Sequence, residues 1–550
     1  MKTQASFRTL PVFQKMIMAF TVFAAGLSLA AVEPNPSAPV GGNFVMNLQG
    51  EPPTLHPINA EDLYSRRVWD FTVDSLAARN PNTAEFVPRV AESWEWSKDK
   101  KSITFQLRKD VQFHDGKPLT AEDVKFSFDA IFDPAYMAAH LRPYYDKIEK
   151  VEVLDPYKVK VVFKEFYFLN FSSIATMNLI PKHIYGDVEA SKKMLKTIVS
   201  CGPYKLDKLE RGQRVVLKRN PDWYGFKTAL WKDYYKFDTI TMKFVKEDAV
   251  AIEMLRKGDL DYEALTPEQY YKKTEGAPFG TKVLKVKYEN NAPKGYGFIG
   301  WNFKKVIFQD VKVRQALAYL MNREEMNKKF RNGVGIPLNG PEYYQSKEND
   351  HDVKAIPFDP KKAQALFADA GWKDSDSNGV LDKMIDGKKV EMKFTLIHPN
   401  KDTEKYFTLY KEDLKKAGVD MEVKYVEWNS FTKTLDDQNF DAVALGWAGT
   451  LESDHKQIWH STSAVAGGSN FISYKNPEVD KLIDQSRIEP DEAKRLTMTK
   501  KIFRMIAEDA PYAFLFSDKM QFYAVSSKIG RPADTFPYEV GIKSWWMVAP

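Results

Sequence analysis

The sequence predicts a mixed α/β (α+β) protein built as two lobes, and three observations carry that expectation. The chain has 550 residues, beyond the size at which one hydrophobic core keeps growing, so at least two lobes are expected. Segments of two-residue alternation and segments of helical spacing succeed one another along the whole length, the pattern of a mixed class. No long Gly/Ser or Pro-rich stretch and no repeat of fixed period separates independent modules, so short crossings should join the lobes.

Among the first thirty residues stand Lys2, Arg8 and Lys15 and no acid, and the apolar run "MIMAFTVFAAGLSLA" ends in Ser28-Leu29-Ala30. That is the pattern of a secretory signal peptide, residues 1–30, cleaved near Ala30 or Ala31. The run is broken by Thr21, Gly26 and Ser28 and falls short of the roughly 20 apolar residues that span a membrane. No cysteine stands at the cleavage site, so a free periplasmic protein without a lipid anchor is expected. Cys201 is the only cysteine, which excludes an intrachain disulfide. Losing the three basic residues takes the formal charge from +6 to +3, too little for this size to imply nucleic acid as a partner.

"SWEWSKDKKSITFQLR" alternates Trp94 and Trp96, turns at "KDKK", then alternates Ile103, Phe105 and Leu107, which predicts a β-hairpin. "KPLTAEDVKFSFDAIF" switches to helical spacing with Val124, Phe128, Ile131 and Phe132 on one face, opened by a Thr120/Asp123 capping box. "DVKVRQALAYLMNREEM" continues the helical pattern through Val313, Ala316, Leu317 and Leu320. "DPKKAQALFADAG" places a cap at Asp359, Pro360 in the first turn and a stop at Gly371.

Several of these blocks resemble the family 5 extracellular solute-binding proteins, the peptide-binding receptors of ABC importers. The resemblance is carried by Phe86 to Phe128, by "CGPYKL" with "RNPDWYG", by "LRKGDLDY", by "GFIGWNFKKVIFQDVKVRQALAYLMNRE", by the "DPKKAQALFADAGW" helix and by "GSNFISYKNPEVDKLIDQSR". Spread in family order over nearly the whole mature chain, they are more specific than any short motif. "IWHSTSAVAGGSNF" and "CGPYKL...RNPDWYG" are most similar to the branch that receives oligopeptides and peptide-like compounds. The resemblance implies a two-lobed fold with a hinged cleft. Lobe I is expected at 31–73, 195–300 and 510–550, with an extra domain inserted at 74–194, and lobe II at 301–509. Crossings are expected near "YGFIGWNF" and near the return toward "EDAPYAFLF". It implies a monomer that hands a peptide to the permease and ATPase subunits of an importer, with no cofactor. The alternatives are a receptor on the same fold for a metal chelate, opine or sugar, and an exported hydrolase.

Catalysis is not the leading reading. His114 beside Asp115 in "FHDGK" reads as a turn between a strand and a capped helix rather than an acid/base pair. Cys201 has no local nucleophile signature, and a small buried packing role suits it. "DSDSNGVLDK" matches a calcium loop at Asp374, Asp376, Asn378, Gly379 and Asp382, but Ile385 stands where a bidentate carboxylate belongs. No phosphate loop, GxSxG elbow or CxxC pair is present.

The densest cluster of chemistry-bearing residues is "GWAGTLESDHKQIWH", Gly446 to His460. In many peptide receptors of the resembled family an aspartate three residues after the tryptophan holds the ligand's ammonium group. Here Thr450 follows Trp447 at that spacing, so Glu452 is expected to take the charge. Trp447 and Gly449 join these two in the expected cleft wall, and the resemblance adds Gln49 (next to Leu48), Glu51, Cys201, Trp301 and Asn302 as ligand contacts. His455, Lys456 and His460 are expected to be structural or peripheral. A metal set of Glu452, His455 and His460 is disfavoured because an i+5 spacing leaves the shared helix face and matches no zinc motif.

Overall fold

A computed structural model describes residues 31–548 except Glu61, Ala139 and His140; the expected signal peptide lies outside the described residues. Three sheets of four or more strands organise the chain. The largest has seven strands, in the order Val283–Tyr288, Gln521–Ser526, Tyr262–Leu265, Asn43–Asn47, Thr239–Lys243, Arg214–Arg219 and Tyr204–Glu210. At its middle, Asn43–Asn47 lies parallel to both Thr239–Lys243 and Tyr262–Leu265. Phe44, Met46, Ile240 and Met242 are buried there.

A second sheet of six strands runs Gly335–Pro337, Tyr512–Asp518, Tyr296–Trp301, Ala442–Trp447, Lys393–His398 and Asp420–Tyr425. Its central strand, "YGFIGW", is antiparallel to both neighbours and buried at all but one position, which accounts for an apolar run without alternation. Phe298 stacks on Tyr512 at 3.8 Å between ring centroids. The chain passes from the first sheet to the second through 289–295 and returns through 519–520. Both stretches expected near the crossings are therefore strands of this second sheet, paired with each other. Their side chains are apolar enough to be covered on both faces, and the polar connections lie just outside them.

The third sheet has four strands, Ala91–Trp96, Ser102–Leu107, Lys158–Phe163 and Ile148–Asp155. It contains the expected hairpin, with Trp94 opposite Phe105 and Trp96 opposite Ile103. Helix Ala121–Phe132 covers it, and the Thr120/Asp123 capping box forms reciprocally. Val124, Phe128 and Ile131 are buried as expected, whereas Phe132 is 37% exposed, because the helix ends there and its last ring overhangs the sheet. Helix Pro360–Asp369 starts at the Asp359 cap, and Gly371 takes φ +81° beyond its end.

"DVKVRQALAYLMNREEM" forms two helices rather than one, Val311–Tyr319 and Arg323–Arg331. Asn322 caps the second by accepting from the Glu325 N–H. Arg323 turns inward and donates to the carbonyls of Phe514, Ala318 and Ile356, so the break places its guanidinium in the core.

One buried clamp holds the "RNPDWYG" segment. The Asp74 carboxylate accepts from Arg89 Nε at 2.7 Å, Trp223 Nε1 at 3.1 Å and the Tyr224 hydroxyl at 2.7 Å. Asp74 begins the segment leading from the first sheet into the third, so the clamp fixes that exit. The Arg89 guanidinium also lies over the Trp223 and Trp231 rings, and the Asp74 charge holds it protonated.

Candidate ligand cleft

The parallel strands of the two large sheets point their carboxyl ends at one another across a cavity of about 1830 Å³. The first lobe contributes the turns after Asn47, Lys243 and Leu265, and the second contributes the turns after His398 and Tyr425. Ligands of open α/β sheets bind outside strand carboxyl ends, where loops and helix N-termini converge. The cavity exceeds the roughly 300–1,000 Å³ of ordinary small-molecule pockets.

Gln49 and Glu51 lie on this wall. Gln49 has φ +67° and donates its N–H to Asn47 Oδ1, which turns the chain sharply at the strand end. Glu51 accepts from the Gly212 N–H at 2.8 Å and lies 3.5 Å from Lys196 Nζ. Other cavity carboxylates are also paired, Glu268 with Lys405 and Asp518 with Arg331. Asp248, from the first lobe, and Asp402, from the second, have no ion-pair partner among the described residues. Desolvation at the wall, and next the charge of Asp402, hold the Asp248 carboxyl above its ordinary range. Nothing local in the sequence marked either residue, because each acquires meaning only by facing the other lobe.

The remaining expected contacts are distributed differently. Trp447 ends its strand at the same end of the second sheet but is half-buried, stacked on Phe298 and Phe471. A Cβ on Gly449 would come within 2.2 Å of the Lys294 carbonyl, so this glycine serves the close approach of its loop to the 289–295 crossing. The Thr450 hydroxyl donates to the Glu452 carbonyl. The Glu452 carboxylate, offered above as the ammonium acceptor, accepts instead from Arg79 Nη2 at 2.7 Å, and Arg79 is stacked 3.8 Å from the Phe86 ring centroid.

Trp301, Asn302 and Cys201 are fully buried and reach no cavity. Trp301 packs on Phe308 and Phe394. Asn302 donates to the carbonyls of Gln438 and Phe440 and accepts from the Lys304 N–H. Cys201 lies in the first core, where burial pushes its thiol far up, so it is no nucleophile in this conformation.

His114 and Asp115 do not pair. His114 Nε2 meets the Gly202 carbonyl at 3.1 Å, and burial lowers its pKa to about 4, while Asp115 pairs with His183 at 2.6 Å. In the Asp374–Asp382 loop the Lys389 ammonium lies 2.5 Å from Asp376 and 3.4 Å from Asp382, occupying the position a cation would take.

Of the three side chains weighed as a metal set, Glu452 goes to Arg79 and His460 lies between Asp480 and Asp484. His455 alone joins a buried cluster, with Glu342 and Glu348 from the loop after Gly335–Pro337. Burial, and next the Glu348 charge, push the Glu342 carboxyl up to about 7.

The loop after Trp447, which carries His455, also binds the third-sheet unit to the second lobe. Asp454 accepts from the Tyr167 hydroxyl at 2.7 Å and from Arg487 Nε at 2.9 Å. Arg487 also lies over the Tyr167 ring.

Comparison with known proteins agrees with this architecture. Residues 85–469 match the model of the bacterial extracellular solute-binding proteins, family 5. The chain is 29% identical over 525 residues to the oligopeptide-binding protein AppA of Bacillus subtilis, covering 92% of each chain. The structure of that Bacillus subtilis protein in complex with a nonapeptide superposes with a TM-score of 0.79, covering 93% of this chain and all of the other, at 27% identity. NikZ from Campylobacter jejuni, solved with Ni(L-His), shares the fold at a TM-score of 0.77 and 22% identity, over 92% of this chain and 99% of its own.

Proposed function

This chain belongs to the bacterial extracellular solute-binding proteins of family 5, and from that premise we propose that it captures peptides between its lobes and delivers them to an ABC importer. It is a solute-binding receptor, not an enzyme. Among the described residues no helix is long and apolar enough to cross a membrane. The observation that carries the peptide reading is the cavity of about 1830 Å³ between facing strand ends, together with the AppA resemblance over 92% of the chain.

An extended peptide loses water from its backbone and both charged ends when the lobes close. Strand edges and turn N–H groups replace that water along the backbone, and roomy, hydrated pockets keep side-chain specificity loose. Asp248 and Asp402 face the cavity from opposite lobes, and their like charges oppose closure until a cation lies between them. The peptide's ammonium supplies that cation in our reading, replacing Glu452 in this role. Binding then favours the closed population, because the closed form holds the ammonium and the open form does not.

We divide the chain into lobe I at 31–73, 195–295 and 519 onward, an inserted unit at 74–194 and lobe II at 296–518, a division that the sheet memberships support. ATP is consumed by the importer's own subunits, and this chain works as a periplasmic monomer without a cofactor.

The test is direct. Protein purified from cells is denatured, and the released small molecules are weighed by mass spectrometry. Mixed short peptides, left intact on incubation with fresh protein, are expected. Sugars, opines or a metal chelate in their place would overturn the peptide assignment, and turnover of peptides would overturn the receptor assignment.

A further inference from the structure

We propose that Glu342, Glu348 and His455 form a built-in site for one divalent transition cation of the zinc class, apart from the ligand cleft. All three residues are buried, with relative exposures of 4%, 6% and 5%, and one donor atom from each lies within 4.8 Å of the others. Glu348 Oε2 and His455 Nε2 are in ion-pair contact at 3.4 Å, too poorly aligned for a good hydrogen bond, and neither buried atom has a hydrogen-bond partner otherwise. Glu342 Oε1 lies 4.0 Å from His455 Nδ1.

Buried polar atoms are almost always hydrogen-bonded, and a buried pair held only by this loose contact has room for a better partner between its two atoms. No lysine or arginine is ion-paired with either carboxylate among the described residues. The contrast with Asp374, Asp376 and Asp382 is direct, since Lys389 already neutralises that exposed cluster. A divalent ion would bridge both carboxylates to the imidazole, which by itself contacts Glu348 at 3.4 Å and Glu342 only at 4.0 Å.

The donor set points to the metal class. One imidazole nitrogen with two carboxylate oxygens suits zinc or a neighbouring first-row ion better than calcium, which takes oxygen ligands, and better than copper(I), which prefers sulfur. Tetrahedral bonds of about 2.0–2.1 Å set neighbouring donors about 3.3 Å apart. The Glu348 and His455 atoms already have this separation, and a donor of Glu342 lies within 4.8 Å of both. The fourth position is left for water. Glu348 Oε1 is held by the Ser453 N–H at 3.3 Å, which fixes which of its oxygens faces the site.

The consequence is structural. The ion would tie the 338–352 loop to the loop after Trp447, and so set the position of the segment that carries Glu452 and Asp454. The inference stands independently of what the cleft receives.

The test uses the full mature protein, freed of metal with a chelator and titrated with zinc chloride by calorimetry at neutral pH. One ion per chain is expected, with proton release in buffers of different ionisation enthalpy if His455 is charged when empty. His455→Gln and Glu348→Gln should each weaken binding at least tenfold while circular dichroism stays native. Cobalt(II) provides a second reading on the unaltered protein, through the visible absorption of a four-coordinate nitrogen–oxygen site. Should a variant fail to fold, that spectrum and Glu342→Gln decide the matter. Absence of stoichiometric binding and of a cobalt band, or zinc affinity unchanged in the folded variants, would overturn the site.

Discussion

Replacing Asp74 by asparagine removes a charge without changing the size of the side chain. The carboxylate has three buried donors, Arg89 Nε, Trp223 Nε1 and the Tyr224 hydroxyl. The side chains of the ion pair are 7% and 1% exposed for Arg89 and Asp74, so water cannot replace the lost partner. An amide has one acceptor oxygen where the carboxylate has two, and its NH₂ group must face at least one of the three donors. Removing one partner of a buried pair leaves the other charge uncompensated and costs about 3–5 kcal/mol. That is roughly two to four powers of ten in the unfolding equilibrium constant. Urea unfolding followed by tryptophan fluorescence reads it, with Trp223 and Trp231 beside the lesion. The paired variant Asp74→Leu, Arg89→Met should recover only part of the loss, because Trp223 Nε1 and the Tyr224 hydroxyl are left without their acceptor. It removes both charges together, and Arg89 Nη1, a buried donor without a partner, disappears with them. A loss under about 1 kcal/mol for Asp74→Asn would refute this account of the clamp.

Other expectations concern the cleft and the pH response. Asp402→Asn should lower affinity for a peptide with a free amino end more than for its acetylated form, measured by calorimetry; an equal loss for both would remove Asp402 from the ammonium site. Saturating peptide should reduce the radius of gyration in solution scattering and raise the melting temperature, and an unchanged radius would argue against lobe closure. His56 is buried against Ser191, and burial lowers its pKa from 6.5 to about 4. The unfolded chain therefore binds the extra proton first, so this residue's stabilisation is present above pH 6.5 and is lost as pH falls toward 4, on the order of 3 kcal/mol in all. His56→Leu should flatten stability against pH in that window; an unchanged slope would sink the assignment.

Much of the architecture was legible because its causes are local. The hairpin at Trp94 to Leu107 needs only alternation around a polar turn, and the Thr120/Asp123 box forms between residues three apart. The split at Asn322 was hidden because helical periodicity continues through it, and only the distant Phe514 and Ile356 carbonyls that receive Arg323 require the break. Gln49 and Glu51, expected as ligand contacts from the family resemblance, line the cavity just after the strand Asn43–Asn47. Trp301 and Asn302 stand at the end of the strand away from the 289–295 crossing, where both are fully buried.

By itself, the sequence determined the mixed class, the two-lobed plan, the family, the hairpin Ala91–Leu107 and the helices Ala121–Phe132 and Pro360–Asp369. These depend on patterning, caps and turn chemistry that act over a few residues. Tertiary structure decided the partner of every charge that matters to the sites. Glu452 meets Arg79 across 373 positions, Lys389 folds back into the loop that resembled a calcium site, and His455 reaches Glu342 and Glu348 from another segment altogether. Whether a carboxylate is free, paired or shared depends on which distant group the fold brings within a few ångströms, and a one-dimensional pattern contains no term for that distance.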